Sequence, residues 1–184
     1  MTQSAATTQP VTQSPVLVSG ELYDEVVRWL YTEAELLDEL REREWLERMV
    51  SPEIVYQVPL RQNVERARGS GFTARTYHFD ERYGSLEARV ARNETEYAWA
   101  EDPPSRPRHF VTNVRVTPGP DDTVQVRSNL LVYRTFRAEP RPEIFSGERQ
   151  DVLQRDERGD LRLLRRLVLL DAVVLETHNL SLFL

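Results

Sequence analysis

From Leu22 onward the apolar positions Leu22, Val26, Val27, Leu30, Ala34 and Leu37 recur at steps of three and four, which lines one face of a helix. Ser19 stands where a helix N-cap is expected. A shorter helix follows, with Leu40, Trp45, Leu46, Met49 and Val50 inward and Arg41 to Glu44 on a charged outer face; Ser51-Pro52 ends it. Ile54, Tyr56, Val58 and Leu60 then alternate with Val55, Gln57 and Pro59, which predicts a strand. The stretch from Arg61 to Gly71 is polar, contains glycine and reads as a loop. Asp80 is placed to cap a third helix in which Tyr83, Leu86 and Val90 face inward. From Thr95 the pattern turns to β. Strands are predicted over Glu96–Ala100, Phe110–Thr117, Thr123–Arg137, Glu143–Arg155 and Leu161–Val174. Turn chemistry separates them at Pro118-Gly119-Pro120-Asp121-Asp122 and Asp156-Glu157-Arg158-Gly159-Asp160.

Helices grouped first and long strands grouped later argue for an α+β domain, not for βαβ winding. Long antiparallel strands joined by short turns curl strongly, and the early helices then cover the concave side. Residues 1–18 are rich in Thr, Gln, Ser and Pro with little to bury, and read as a flexible arm or one that orders on a partner. Residues 19–184 read as one domain, long enough to bury ~70% of the surface the unfolded chain exposes. No internal repeat is visible.

Composition narrows the chemistry. The 184 residues include no cysteine, which excludes disulfides, thiolate nucleophiles, Cys-ligated zinc and a Rieske or other Cys-ligated iron–sulfur centre in this chain. Three histidines, His78, His109 and His178, lack the His-x-x-x-His spacing that sets two imidazoles on one helix face. A metal site assembled by folding is left open, although scattered histidines usually serve as hydrogen-bonding residues. A net charge of −6 disfavours a sequence-independent nucleic-acid binder. All 24 basic residues are arginine, which excludes a Schiff-base lysine. Codon bias accounts for that usage, and arginine's planar fork also suits interfaces and carboxylate pairing. No apolar run approaches the ~20 residues that span a bilayer, and no secretory signal stands at the N-terminus. A cytoplasmic location is expected.

Three local features invite a role. Pro103-Pro104 and Pro107 stiffen a bend that fixes the direction of Arg106 and Arg108, either as an ordinary surface bend or as an interface. Asp171 interrupts the apolar run Leu167–Val174; if buried it must be paired, with Arg134, Arg149, Arg165 or Arg166 as candidate partners. The ending Leu180, Leu182, Phe183, Leu184 is apolar where chain ends usually fray, and burial is the simplest account.

Several motifs, in order, resemble the small (beta) subunit of bacterial aromatic-ring-hydroxylating dioxygenases. They are Tyr56-Gln57-Val58-Pro59, Leu86-Glu87-Ala88-Arg89-Val90 and the stretch from Ala98-Trp99 through Ser105-Arg106 and Arg108-His109 to Asn113-Val114. Ser128-Asn129 with Tyr133-Arg134, Phe145 to Asp151, Leu170-Asp171 and Asn179-Leu180-Ser181 before Phe183 complete the likeness, which covers Glu21 to Leu184. Tyr97 and the 61–76 loop look idiosyncratic.

The resemblance implies a nuclear-transport-factor-2-like (cystatin-like) cone with no catalytic, cofactor or metal residues of its own. It implies a large (alpha) partner carrying a Rieske [2Fe-2S] cluster and mononuclear Fe(II), joined as three large and three small chains and fed by ferredoxin and reductase. Candidate interface or structural residues are Trp99, Ser105, Arg106, Arg108, His109, Arg149, Arg165, Asp171, Phe183 and Leu184. The competing expectation is a free-standing proton-transfer enzyme of the same cone, an isomerase, dehydratase or cyclase, with Tyr56, His78, Asp80, Tyr97 and His109 as candidates.

Overall fold

In the computed structural model the described residues are 17–65, 71–94 and 104–184. Three helices, α1 (Glu21–Asp38), α2 (Glu42–Met49) and α3 (Tyr83–Asn93), accompany six strands. These are β1 (Val50–Arg61), β2 (Phe72–Glu81), β3 (Arg106–Pro118), β4 (Val124–Thr135), β5 (Glu143–Arg155) and β6 (Leu161–Leu170). They form one sheet in the order β2-β1-β6-β5-β4-β3. Only β1 and β6 run parallel; every other neighbouring pair is antiparallel. The α+β expectation holds.

The strands alternate cleanly. Along β4, residues 124, 126, 128, 130, 132 and 134 are buried and their neighbours are exposed. The helices cover the buried face: α1 lies over β3, while α2 and α3 meet β1. Val26, Leu30 and Leu37 of α1 join Trp45 and Leu46 of α2 and Leu86 and Val90 of α3 in one core with Ile54, Val58, Val132, Leu163 and Val168. Trp29 secures α1 to the sheet by donating its indole N–H to Leu161 O at 3.0 Å. On β3 the register shifts between Thr112 and Arg115, with Asn113 at φ 53°. That bulge moves the buried positions from odd to even numbers, so both halves of a 13-residue strand face the core.

Several expectations are corrected. Gly20, not Ser19, is the N-cap of α1, at a φ of 78° that a side chain resists. Asp80 does not cap α3; it lies in β2 and takes hydrogen bonds from Gln57 and Arg82. The cap is Arg82, whose main-chain N–H donates to Ser85 Oγ at 2.9 Å. Leu40 turns outward at φ 57° because the chain must reverse between α1 and α2. Strand β2 was not anticipated, and it is an edge strand with much of each face exposed, so its alternation is faint. Strand β6 stops at Leu170, short of Val174. Val18, which composition placed in the arm, is tied to the fold by its N–H to Val116 O at 2.9 Å. The predicted strand 96–100, Tyr97, Trp99 and residues 1–16 lie outside the described residues.

Candidate functional site

Inside the sheet's curve, four charged side chains meet without solvent. Glu33 of α1, Arg149 and Asp151 of β5 and Arg166 of β6 are each at most 2% exposed. Arg166 donates from Nε to Asp151 Oδ1 at 2.8 Å and from Nη2 to Asp151 Oδ2 and Glu33 Oε2, both at 2.8 Å. Trp45 donates its indole N–H to the other Glu33 oxygen at 3.0 Å. Arg149 Nη2 stands 3.0 Å from Glu33 Oε2, an ion pair whose angle falls outside hydrogen-bonding geometry. Two positive and two negative charges balance. Burial pushes the Glu33 carboxyl up, but the Arg166 and Arg149 charges and the bonds from Arg166 and Trp45 outweigh it and hold it below the ordinary range. Burial opposes the charge on Arg166 too, and Asp151 and Glu33 more than offset it, raising its pKa well above the ordinary value.

The segment after β6 has no regular secondary structure and closes over this cluster. Tyr56 accepts from Leu184 N–H at 2.8 Å and donates to Leu184 O at 3.0 Å; Arg166 Nη1 reaches the same oxygen at 3.1 Å. The Phe183 ring packs on Trp45 with centroids 4.7 Å apart, and the Arg89 guanidinium lies 4.4 Å from its centroid. His109 sits between Asp38 Oδ1, 2.6 Å from its Nδ1, and Phe183 O, 2.9 Å from its Nε2.

A second cluster holds the tail farther out. Arg134 donates to Glu143, Thr177 and Asn179, while Glu143 accepts from the His178 ring and main chain. Burial raises the Glu143 carboxyl, yet the bonds from His178, Arg134 and Thr177 prevail and hold it at about 2.

The anticipated residues therefore divide. His109, Arg149, Phe183 and Leu184 belong to one connected interior, and Ser105 is buried at the start of β3. Arg106 and Arg108 project outward; Arg106 bonds Thr135 Oγ1 at 3.1 Å, and Arg108 meets Asp38 Oδ2 at 3.3 Å while staying 67% exposed. Arg165 also faces outward, so the buried arginine of β6 is its neighbour Arg166. Asp171 is not a buried partner of any arginine: it is exposed and accepts from Ser146 Oγ at 3.0 Å, because β6 ends one residue earlier.

Sequence reasoning missed Glu33, Asp38 and Glu143. Glu33 carried a signal: it falls in step with Val26, Leu30 and Leu37 on the apolar stripe of α1, where a carboxylate needs a buried cation.

Among the described residues, the candidates for proton-transfer chemistry do not come together in one site. Tyr56 is fully buried and engaged by Leu184; burial raises its pKa and outweighs the lowering by Arg166, Arg89 and the Leu184 hydrogen bond. His109 is occupied at both ring nitrogens. His78 lies half-buried on β2, and Asp80 faces solvent on the same edge strand. The chain has no cysteine, and among the described residues no group of three His, Asp or Glu is placed to hold an ion. No helix among the described residues is long and apolar enough to cross a membrane.

On the opposite face of the sheet, apolar side chains stand in the open. Phe110 pairs in register with Leu131, and Tyr133 lies between Arg108 and Ile144. All four of these apolar residues are 39–59% exposed. Arg106, Arg108 and Arg127 surround them on the same face.

A family model described as the ring hydroxylating beta subunit matches residues 32–177. The chain is 41% identical over 169 residues to the beta subunit of 3-phenylpropionate/cinnamic acid dioxygenase from Photorhabdus laumondii subsp. laumondii, covering 89% of this chain and 92% of that one. Among solved structures, naphthalene 1,2-dioxygenase with indole bound superposes at a TM-score of 0.79 with 31% identity, over 89% of this chain and 86% of that one. The beta subunit of benzoate 1,2-dioxygenase from Burkholderia mallei shares the fold, at a TM-score of 0.60 and 23% identity over 84% and 93% of the two chains. Several residues of the motifs quoted from the sequence build the interior, among them Tyr56, Arg89, His109, Arg134, Arg149, Asp151 and the tail. The chain belongs to the beta-subunit family of aromatic-ring-hydroxylating dioxygenases, and is one part of a multi-subunit oxidoreductase whose other part is a large alpha subunit.

Proposed function

We propose that this chain is a non-catalytic structural subunit that assembles, three copies with three, around a large subunit carrying a Rieske [2Fe-2S] cluster and mononuclear Fe(II). The large subunit would cis-dihydroxylate an aromatic hydrocarbon or aromatic acid, with electrons supplied through ferredoxin and a reductase. A nicotinamide-dependent supply of electrons fits a cytoplasmic location.

The observation that carries this reading is the buried charge cluster on the concave side of the sheet. A proton-transfer enzyme of the same cone needs an open polar cavity on its concave side; here that space holds a charge-balanced cluster sealed by Phe183 and Leu184. What is left to meet a partner is the outer sheet face, apolar at Phe110, Leu131, Tyr133 and Ile144 and edged by arginines. Aromatic and arginine side chains are the types enriched at the centres of protein interfaces. Arg106, Arg108, Arg165 and Asp171 are the exposed members of the candidate set and belong to this contact surface. His109, Arg149, Phe183 and Leu184 support it from within. In the same reading, residues 1–18 are an arm whose last residue, Val18, is tied to the domain that begins at residue 19.

Co-purification tests it. A tagged chain expressed with its large partner should bring down a brown iron–sulfur protein in equal amount. A colourless protein that emerges alone under those conditions overturns the assignment.

A further inference from the structure

Six successive carbonyls, from Asn179 to Leu184, each accept from a side chain of the folded body. Arg134 Nη2 takes Asn179 O at 2.8 Å. Arg89 Nη2 lies within reach of Leu180, Ser181 and Leu182 O at 3.2, 3.4 and 3.0 Å, with Asn93 Nδ2 adding a 3.5 Å contact to Ser181 O. His109 takes Phe183 O, and Tyr56 and Arg166 share Leu184 O. The donors come from α3, β1, β3, β4 and β6, so the whole body converges on one segment without regular secondary structure.

Each donor is itself fixed. Arg89 is stacked between the rings of Phe79 (4.2 Å) and Phe183 (4.4 Å), and pairs with Glu81 at 2.7 Å. Arg134 is held by Glu143 at 2.7 Å, and His109 by Asp38. Side chains anchored in this way lose little freedom when they grip a ligand. Phe183 fills an aromatic slot against Trp45, and Leu182 and Leu184 are buried beside it. The connection to β6, by contrast, runs through Ala172, Val173 and Val174 in the open, with Val174 76% exposed.

From this arrangement we propose that the body contains a peptide-binding groove, and that Asn179–Leu184 is its tethered ligand. The groove reads a hexapeptide through its carbonyl oxygens and selects for an aromatic residue flanked by aliphatic ones at the last three positions. Recognition runs mainly through carbonyls, with Arg134 also holding the Asn179 side-chain oxygen at 3.0 Å, so the demand on sequence falls on Asn179, Leu182, Phe183 and Leu184. The short tether keeps the local concentration of the segment near the millimolar range, and a peptide added in trans competes only once that tether is cut.

A specific protease site placed between Val173 and Val174 of the full chain makes the cut in the folded protein. Native mass spectrometry should then find body and tail still together. A fluorescent synthetic peptide of residues 175–184 should exchange into the cut protein, and the same peptide carrying Phe183→Ala should bind at least tenfold more weakly. Arg89→Met in the body should weaken retention of the wild-type peptide in the same assay. The proposal is overturned if the fragment leaves while the body stays folded, if the cut protein unfolds and the peptide does not restore it, or if the Phe183→Ala peptide binds as well as the parent.

Discussion

Glu33 and Arg166 are 133 residues apart in the chain and meet at 2.8 Å with no solvent between them. This contact joins the first helix to the last strand. It makes the docking of α1 depend on a charge that β6 brings into the core, and the same guanidinium also holds Asp151 and Leu184 O. Such a cluster adds little net stability over well-packed apolar residues, yet it penalises any arrangement that leaves one member unpaired.

Replacing Arg166 by Met should therefore be severe, since Glu33 and Asp151 would stay buried with only Arg149 to face them. Breaking a buried pair from one side costs about 3–5 kcal/mol. Urea unfolding at neutral pH measures it, and a loss below about 1 kcal/mol would show that water enters the site and relieves the carboxylates.

The His178–Glu143 contact gives the tail a pH signature. The hydrogen bond that the His178 ring donates to Glu143, aided by Glu139 and opposed by desolvation, raises His178 above 6.5. A raised folded value stabilises fully below the unfolded value of 6.5 and loses its effect as pH climbs through the folded one. Glu143, held at about 2 against an ordinary 4.5, contributes above 4.5 and loses its effect as pH falls toward 2. The pair is strongest between these limits. A His178→Ala variant should be less stable than the parent near pH 5.5, and the gap should close in alkaline buffer. Thermal unfolding across the pH range checks this; a gap that widens with rising pH would contradict it.

Gly147 is required for a spatial reason. A Cβ there would stand 2.5 Å from Leu169 O and 3.0 Å from Leu170 Cα, both main-chain atoms of the paired strand. Gly147→Ala must push β5 and β6 apart next to the cluster, at a cost of about 1–3 kcal/mol typical of overpacking. An unchanged melting temperature would mean that the strands separate freely at this point.

Arg106→Ala and Arg108→Ala, and Tyr133→Asp on the same outer face, should weaken assembly with the large subunit more than they weaken folding. Exposed substitutions of this kind shift stability by roughly 0.5 kcal/mol or less. Sedimentation of the mixed subunits against unfolding of the isolated chain separates the two effects. If all three variants assemble normally, the outer face is ordinary surface.

Local periodicity made much of the fold legible: the three helices, the long late strands and the inward positions of β1 and β4 follow from spacing that each segment carries in itself. The likeness of ordered motifs pointed to the family, and several of those residues, among them Tyr56, His109 and Arg149, are buried in its interior. Asp171 has no buried arginine partner because β6 ends one residue before it, and Arg166 rather than Arg165 is the buried arginine because the pleat of β6 decides which of two adjacent residues points inward. Strand β2 escaped notice because an edge strand buries too little to impose alternation. Sequence alone determined the inventory, twenty-four arginines and no cysteine, and so excluded thiolate and iron–sulfur chemistry within this chain. Tertiary structure alone decided that Glu33, Asp151 and Arg166 share one buried site and that the tail seals it, since partners 15 and 133 residues apart are matched only when the sheet closes over the helix.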